Sequence, residues 1–374
     1  MGKAFRNRVK RFLENHLMLY GMFRVIKNRK DTEYLEAVSQ RYKSNQYRLL
    51  NDDIRYNKKR SVYIVSYNWE TNGFFAIMRK CLSGCVIADS LGIHPFIYIV
   101  NSIFNMPGGY NGTDNMFEYY FKPAIDSGIE QILKDENCFD ASYDHIMRLN
   151  RSFGLINDKD TYSEYKVNDE YLSVMAAAWK KYFILNEETE ELISKSVEGL
   201  LKGRRVLGVH FRGTDFKVGM KGHPVYSSLD DYYKTIDDLS SDYDLIYIAT
   251  DDMNALDSFR ARYEGKVICY EDVVRGDTNR GVHLTDHSRE NDQYLLGLEV
   301  LRDMFTLSEC DGLVAGLSQV SFFARIRKIS QGLRYDHLKI IDKGIVEHGT
   351  RAADKYYEEV LGTGKVVYDD KNPY

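Results

Sequence analysis

Proline and tryptophan are scarce in this chain of 374 residues, at five and two. Set against 29 Tyr and 18 Phe, so little proline excludes a disordered or linker-rich chain. The 44% hydrophobic and 28% charged content is that of a globular protein long enough for two domains with separate cores. Cysteine is scarce as well. Cys81, Cys85, Cys138, Cys269 and Cys310 form an odd, scattered set, which excludes a disulfide framework and points to a reducing compartment. Only Cys81 and Cys85 lie close together, and no second Cys or His pair follows at the spacing of a zinc finger. The N-terminal run LMLYGMF (17–23) is far too short to span a bilayer, and no small-residue cleavage site follows it. There is no Gly-x-x-x-x-Gly-Lys-Ser/Thr loop and no Gly-x-Gly-x-x-Gly after a strand, so P-loop ATP hydrolysis and ordinary NAD binding lose their main support.

An excess of positive charge is missing everywhere except at the start. Residues 1–30 carry nine basic side chains and the single acid Glu14, a local +8 that leaves −12 on the other 344 residues of a chain whose net charge is −4. The acidic body excludes nucleic acid as a partner. Phe5, Val9, Phe12, Leu13, Leu17 and Tyr20 recur at helical spacing, so the basic segment reads as an amphipathic helix. It suits peripheral association with an anionic membrane surface, which would place the protein in the cytoplasm at the inner face of the membrane. It equally suits a basic surface helix packed on the core.

What the chain does contain is alternation. SVYIVSY (61–67) reads as a strand, FFAIMRKCLSGCVIADSLG as a helix closing at Gly92, and HPFIYIV (94–100) as a second strand. Residues 101–165, rich in Gly, Asn, Asp and aromatics, read as loops, and 163–184 as a helix. The helix NEETEELISKSVEGLLKG opens with acids and closes at Gly203. Then come the strand RRVLGVHF, the helix SSLDDYYKTIDDLSS, the strand YDLIYIATDD, the helix ALDSFRARYEG and the strand KVICYED. The helix DQYLLGLEVLRDMFTLSEC, the strand DGLVAG and the helix SQVSFFARIRKIS complete the series. This is an α/β chain with parallel sheets and two Rossmann-like domains facing each other across a cleft. The divisions fall at 1–55 (basic segment and lead-in), 56–195 (first domain), 196–345 (second domain) and 346–374 (tail).

Ligands of open parallel sheets sit at the carboxyl ends of the strands. Three strands of the second half end in polar clusters: His210 to Asp215, with Arg212 and Thr214; Thr250, Asp251 and Asp252; and Gly316 to Gln319, with Ser318, followed by Val320 as a further binding candidate. An arginine offers a planar fork to phosphate oxygens, and a helix opening at Ser318 offers free N–H groups, so the combination suits a diphosphate. Asp242-Tyr243-Asp244 resembles a metal-holding Asp-x-Asp, but it precedes its strand and reads as a turn. Asp303 lies within an apolar helix pattern. A buried carboxylate needs partners; it serves either as an ion-pair or capping residue or as the acceptor for guanine's paired N–H donors. His283, His287 and Arg289 lie in a polar loop just before that helix.

GVHFRGTDFKVG, IYIATDD and DMFTLSECDGLVAGLSQVS resemble, in order and approximate spacing, the motifs of the GDP-fucose-dependent fucosyltransferases of the α1,6 type, which include bacterial nodulation enzymes and animal enzymes that fucosylate N-glycan cores. The likeness covers residues 200–330, with a weaker match at YNWETNGFFAIMRK. It implies a GT-B fold, the donor GDP-fucose bound mainly by the second domain, a glycan acceptor, and transfer with inversion and no metal or other cofactor. It implies that Arg212 is the essential arginine, that His210 and Asp303 contact guanine, and that Ser318 and Gln319 contact phosphate. Arg289 corresponds to a family arginine at slightly different spacing, and Asn72, Gly73 and Phe74 to a glycine loop reaching the diphosphate. The chain departs from the pattern at Gly213, where relatives often carry a second arginine, and at MKGHP, which lacks a glutamate. The general base is therefore not carried over, and Asp215, Glu70 and His223 are the candidates. Another nucleotide-sugar donor, or a catalytically silent nucleotide-binding subunit of a glycan-assembly complex, are the rival readings.

Overall fold

The alternation of strands and helices builds two parallel sheets. The computed structural model describes residues 25–26, 29–30, 61–66, 72–90, 92–135, 137–140, 165, 167–219, 221–277, 281–285 and 287–347. Glu70, most of the basic segment 1–30 and nearly all of the 346–374 tail lie outside the described residues. Both sheets belong to one unit, Arg55–Lys365.

The first sheet has the order β2-β1-β3, with β1 at Ser61–Ser66, β2 at His94–Tyr98 and β3 at Asn137–Asp140, all parallel. Helix α1 (Phe74–Ser90) connects β1 to β2 and is buried around most of its circumference, as its nearly continuous apolar sequence requires. It lies close on β1: a Cβ at Gly84 would fall 2.8 Å from Val65 Cγ1. The helix ends as the sequence suggests, with Gly92 left-handed at φ +66° and Ile93 N donating to Ala88 O. β3 and the short helix α2 (Ile129–Asp135) were not expected, because they fall in the stretch read as loops. Four residues of strand are too few to carry a period-two signal.

Two helices follow. α3 (Asp169–Tyr182) is capped by Asn168, and α4 (Glu187–Leu201) by Asn186, whose Oδ1 accepts from Thr189 N. The helix expected from 163 thus starts at Asp169. α4 passes into the left-handed region at Lys202, φ 49°, one residue before Gly203.

The second sheet has the order β6-β5-β4-β7-β8, again all parallel: β4 Val206–Phe211, β5 Leu245–Thr250, β6 Val267–Ile268, β7 Gly312–Gly316 and β8 His337–Ile341. The crossovers are α5 (Leu229–Asp237), α6 (Met253–Arg262), α7 (Asp292–Glu309) and α8 (Gln319–Ser330). Leu207, Val209 and Phe211 point to one face, where they join Tyr232, Ile236 and Phe259 of α5 and α6 in a core. Gly208 points to the other face and lets α7 come close: a Cβ there would meet Leu307 at 3.1 Å and Cys310 at 3.2 Å. By the same period of two, His210 shares that face.

Helices join the two sheets. α3 packs on α1 and α8, and α4 packs on α7. The contact is aromatic: Phe75 meets Phe323 with centroids 4.8 Å apart, Trp179 meets Phe323 at 5.5 Å, and Tyr120 donates its hydroxyl proton to Tyr294 O at 2.8 Å. Beyond β8 the chain turns back onto the MKGHP loop, where Gly222 N donates to Val346 O and Val346 N to His223 O, each at 2.9 Å. No helix among the described residues is long and apolar enough to cross a membrane.

Candidate functional site

The second sheet reverses direction beside β4. From β4 the chain steps outward to β5 and β6, then returns to lay β7 on the other side of β4. The connections at the carboxyl ends of β4 and β7 therefore leave in opposite directions, and the crevice between them is where open α/β sheets bind ligands. His210 ends β4 and Ser318 caps α8 just after β7. The two meet, with His210 Nδ1 and Ser318 Oγ 3.1 Å apart. Ser318 Oγ also accepts from Ser321 N at 3.1 Å, while Ser321 Oγ donates to Gly316 O at 2.9 Å. This serine pair fixes the first turn of α8, whose leading N–H groups, at Gln319 and Val320, have no partner within the helix. Behind it, Tyr232 donates to His210 O at 2.9 Å. Burial, and secondly the nearby Arg212, push the imidazole down to about 4. The ring at this switch point is neutral at physiological pH.

Arg212 follows two residues later and pairs with Asp251 at 2.7 Å, its side chain 27% exposed. Asp251 serves the whole loop after β4, accepting from Gly213 N at 2.9 Å and from Thr214 Oγ1 at 2.6 Å. Asp252 is turned inward. It caps α6 by accepting from Ala255 N at 3.1 Å, pairs with Lys217, and is 2% exposed. Thr250 Oγ1 accepts from Asp252 N at 3.1 Å. The acidic cluster after β5 thus shapes the arginine loop. Gly213 is closed in by it: a Cβ there would fall 2.4 Å from Asp252 Cβ, so the position has no room for a second arginine in this arrangement.

Asp303 lies on the α7 face of the sheet, beneath β5. Tyr247 donates to its Oδ1 at 2.6 Å, and among the described residues the second oxygen takes no hydrogen bond. Burial raises this carboxyl to about 6, opposed by the Tyr247 bond and by the charges of Arg275 and Arg302. Arg302 is spent on Asp272 through two bonds, at 2.6 and 3.0 Å, and stacks over Tyr270. Arg289 donates from Nε to Asp292 at 2.8 Å and from Nη1 to Glu299 at 2.5 Å, in a loop flanked by left-handed Ser288 and Asn291. His287 Nε2 donates to Val282 O at 3.0 Å.

The remaining expected residues are more dispersed. Gly73 sits at the start of α1, where its carbonyl accepts from Ala76 N at 2.9 Å, with Asn72 before it. Phe74 is buried among Phe75, Phe104 and Tyr120 and is part of the core. His223 lies against Phe216, centroids 5.4 Å apart. Asp215 starts the short turn of helix after the arginine loop. Asp242 and Asp244 lie at the opposite, amino edge of the sheet, where Asp244 accepts from Arg205 N at 2.9 Å. Among the described residues no three His, Cys, Asp or Glu side chains converge as a metal site would require.

Sequence reasoning missed Arg79 of α1, which is 1% exposed and donates to Gln319 Oε1 and to Tyr171 Oη, both at 3.1 Å. The signal was a charge inside an otherwise apolar helix run, masked by the adjacent Lys80. It also missed Tyr247 and Tyr232, whose hydroxyls have no sequence signature inside or beside a hydrophobic core.

No family model matches the chain, and no curated protein matches it. Among solved structures, the chain is similar to the NodZ alpha-1,6-fucosyltransferase co-crystallized with GDP, with a TM-score of 0.45 and 15% identity over 73% of this chain and 92% of that one. It is similar to POFUT1 in complex with GDP at TM-score 0.39 and 9% identity, over 75% and 98% of the respective chains. A mutant of FUT1 from Arabidopsis thaliana in complex with GDP aligns at TM-score 0.40 and 10% identity, over 82% of this chain and 76% of that one.

Proposed function

We propose that the chain is a GT-B glycosyltransferase that moves L-fucose from GDP-fucose to a glycan hydroxyl, with inversion and without a metal, in assembly of a surface polysaccharide. The observation that carries this reading is the switch point itself: His210 and Ser318 joined at 3.1 Å, with Arg212 and the leading N–H groups of α8 beside them. A nucleoside diphosphate is what this set is suited to hold. The diphosphate would lie on the N–H groups of Gln319 and Val320, with Arg212 as its charged partner. Guanine's two adjacent N–H donors would meet the second oxygen of Asp303.

In the reaction, the bond between fucose C1 and the β-phosphate oxygen breaks and its electron pair leaves with GDP. Arg212 and the α8 dipole stabilise that growing charge. The acceptor hydroxyl attacks C1 from the opposite face, giving an α-fucoside, and releases its proton to a base drawn from Asp215, Glu70 and His223. The local +8 of residues 1–30 supports a cytoplasmic location at the inner membrane face.

Gly213 favours a second reading. With Asp252 closed over it, a nucleotide-binding subunit that does not turn over fits the same geometry. The test is to incubate the protein with GDP-fucose, GDP-mannose and UDP-sugars, with and without EDTA, and to measure nucleotide release and GDP binding. Metal-independent release from GDP-fucose that Arg212→Ala abolishes is expected. GDP binding without turnover across a broad acceptor panel leaves only the silent subunit, and absence of GDP binding rejects both.

A further inference from the structure

Among the described residues Arg79 is the most deeply buried charge, at 1% exposed, and no carboxylate among them pairs with it. Its Nη1 donates to Gln319 Oε1 and its Nη2 to Tyr171 Oη, both neutral acceptors. Its guanidinium lies 3.8 Å from the Phe322 ring centroid and 5.3 Å from that of Tyr171. Its Nε is buried without a partner. Neutral bonds and ring faces satisfy geometry but leave the charge itself unbalanced, and arginine does not escape the cost by losing its proton. The other buried arginine among the described residues, Arg302, is bound to an acid, Asp272, through two hydrogen bonds.

The position of this charge is informative. Arg79 comes from α1 of the first sheet, and it grips the first residue of α8, the helix whose N-terminus faces the switch point. The helix dipole and the guanidinium therefore add at one place, and their sum is positive. Resting on the donor-site reading above, we propose that Arg79 is a positioning residue and buried counter-charge for the diphosphate. It holds Gln319 and the α8 N-terminus in place, and the anion that binds there supplies the negative charge that the protein withholds. The first sheet then contributes to donor affinity through α1, without touching the donor.

Affinities of the full-length chain for GDP, for guanosine and for inorganic pyrophosphate, measured by calorimetry, test this. In Arg79→Met, GDP and pyrophosphate binding should weaken by about tenfold or more, the scale of a lost charge interaction in the protein interior, while guanosine binding stays unchanged. Arg79→Lys, which keeps the charge but cannot span Gln319 and Tyr171 together, should retain most of the GDP affinity, and it carries the test if the Met variant does not fold. A second arm needs no ligand. Gln319→Glu offers the missing carboxylate where the amide now accepts, so it should raise Tm, and the gain should vanish in the Arg79→Met background. Equal loss of guanosine and GDP in Arg79→Met would mark a structural residue and overturn the proposal. So would unchanged GDP binding, or loss in Arg79→Lys as complete as in Arg79→Met. If the wild-type chain binds pyrophosphate but no GDP, the donor reading fails while the anion site stands; if it binds neither, both fail.

Discussion

Replacing Asp303 by Asn changes one atom and removes a charge that the fold holds at a cost. Asp303 is raised to about 6 by burial, whereas an unfolded chain titrates its aspartates near pH ~3.9. Between those two values the folded chain retains a proton that the unfolded chain has released. This group's contribution to stability therefore falls as pH rises through the window of about 4 to 6, and it stays at its unfavourable plateau above. The gap between the two values corresponds to about 3 kcal/mol. The amide of the variant would still accept the Tyr247 proton, so the hydrogen bond survives and only the charge is lost. The expected result is that Asp303→Asn gains on wild type by roughly 2–3 kcal/mol between pH 4 and pH 7, and no further above that. His210 works in the opposite sense over nearly the same range. Its value is depressed to about 4, so its contribution is lost as pH falls. The wild-type profile alone would hide both, and the difference between the two proteins isolates Asp303. Urea denaturation at half-unit pH steps, without ligand, measures it. A difference flat to within ~0.5 kcal/mol across that range would show that Asp303 is not held as a desolvated carboxyl in the folded chain. Guanosine affinity, free of phosphate titration, should decline in wild type as pH falls below about 6 and be weak at every pH in the variant.

Two further substitutions test the scaffold. Asp251→Ala removes acceptors from Arg212, Gly213 N and the fully buried Thr214 hydroxyl. It should cost about 3–5 kcal/mol in urea denaturation, and a loss below ~1 kcal/mol would mean that the loop rearranges freely. Gly297→Ala sets helix propensity against packing. Propensity alone predicts a gain of about 1 kcal/mol, but the new Cβ would lie 2.2 Å from Tyr120 Oη, where the ring is locked by its bond to Tyr294 O. Thermal melts should show a net loss of roughly 1–2 kcal/mol, and a rise in Tm would show that the contact between the two sheets yields.

The centre of the second sheet was legible because β4 and β5 are buried on both faces and read as unbroken apolar runs, VLGVHF and LIYIAT, each ending in a polar cluster. Two helix starts were legible for the same local reasons, with Asn186 and Ser228 capping at the head of runs read as helices, whereas the cap at Asn168 was missed inside a run read as helical from 163. β8 was not legible, since HLKII is a half-exposed edge strand that mixes Lys339 and His337 with its apolar residues. The roles of Asp251 and Asp252 were hidden for another reason. An acidic pair after a strand looks the same whether it faces a ligand or folds back on its own loop, and only the contacts to Thr214, Lys217 and Ala255 separate the two. Phe74 was drawn toward the donor by its neighbour Gly73, whereas the helical period of α1 turns its ring into the core beside Phe104 and Tyr120. Arg79 depended on a contact 240 residues away in sequence, which no local pattern encodes.

The polarity of the second sheet is ordered across its strands, and that ordering favours one orientation of the proposed nucleotide donor over its reverse. Over β5 lies an acceptor, Asp303 on Tyr247. At the end of β4 lies a neutral imidazole, His210. After β7 lies a donor edge, the α8 N-terminus with Arg79 behind Gln319. These positions are successive in the order β5-β4-β7, so acceptor and donor edge are separated by two inter-strand steps, about 10 Å. A nucleoside diphosphate has the same order of parts: a base edge rich in donors, an uncharged ribose, then an anion. Laid with guanine over β5 and diphosphate at α8, it meets each element with its complement. Reversed, it would bring the diphosphate against a buried carboxylate already raised by desolvation, and leave Arg79 facing the neutral base.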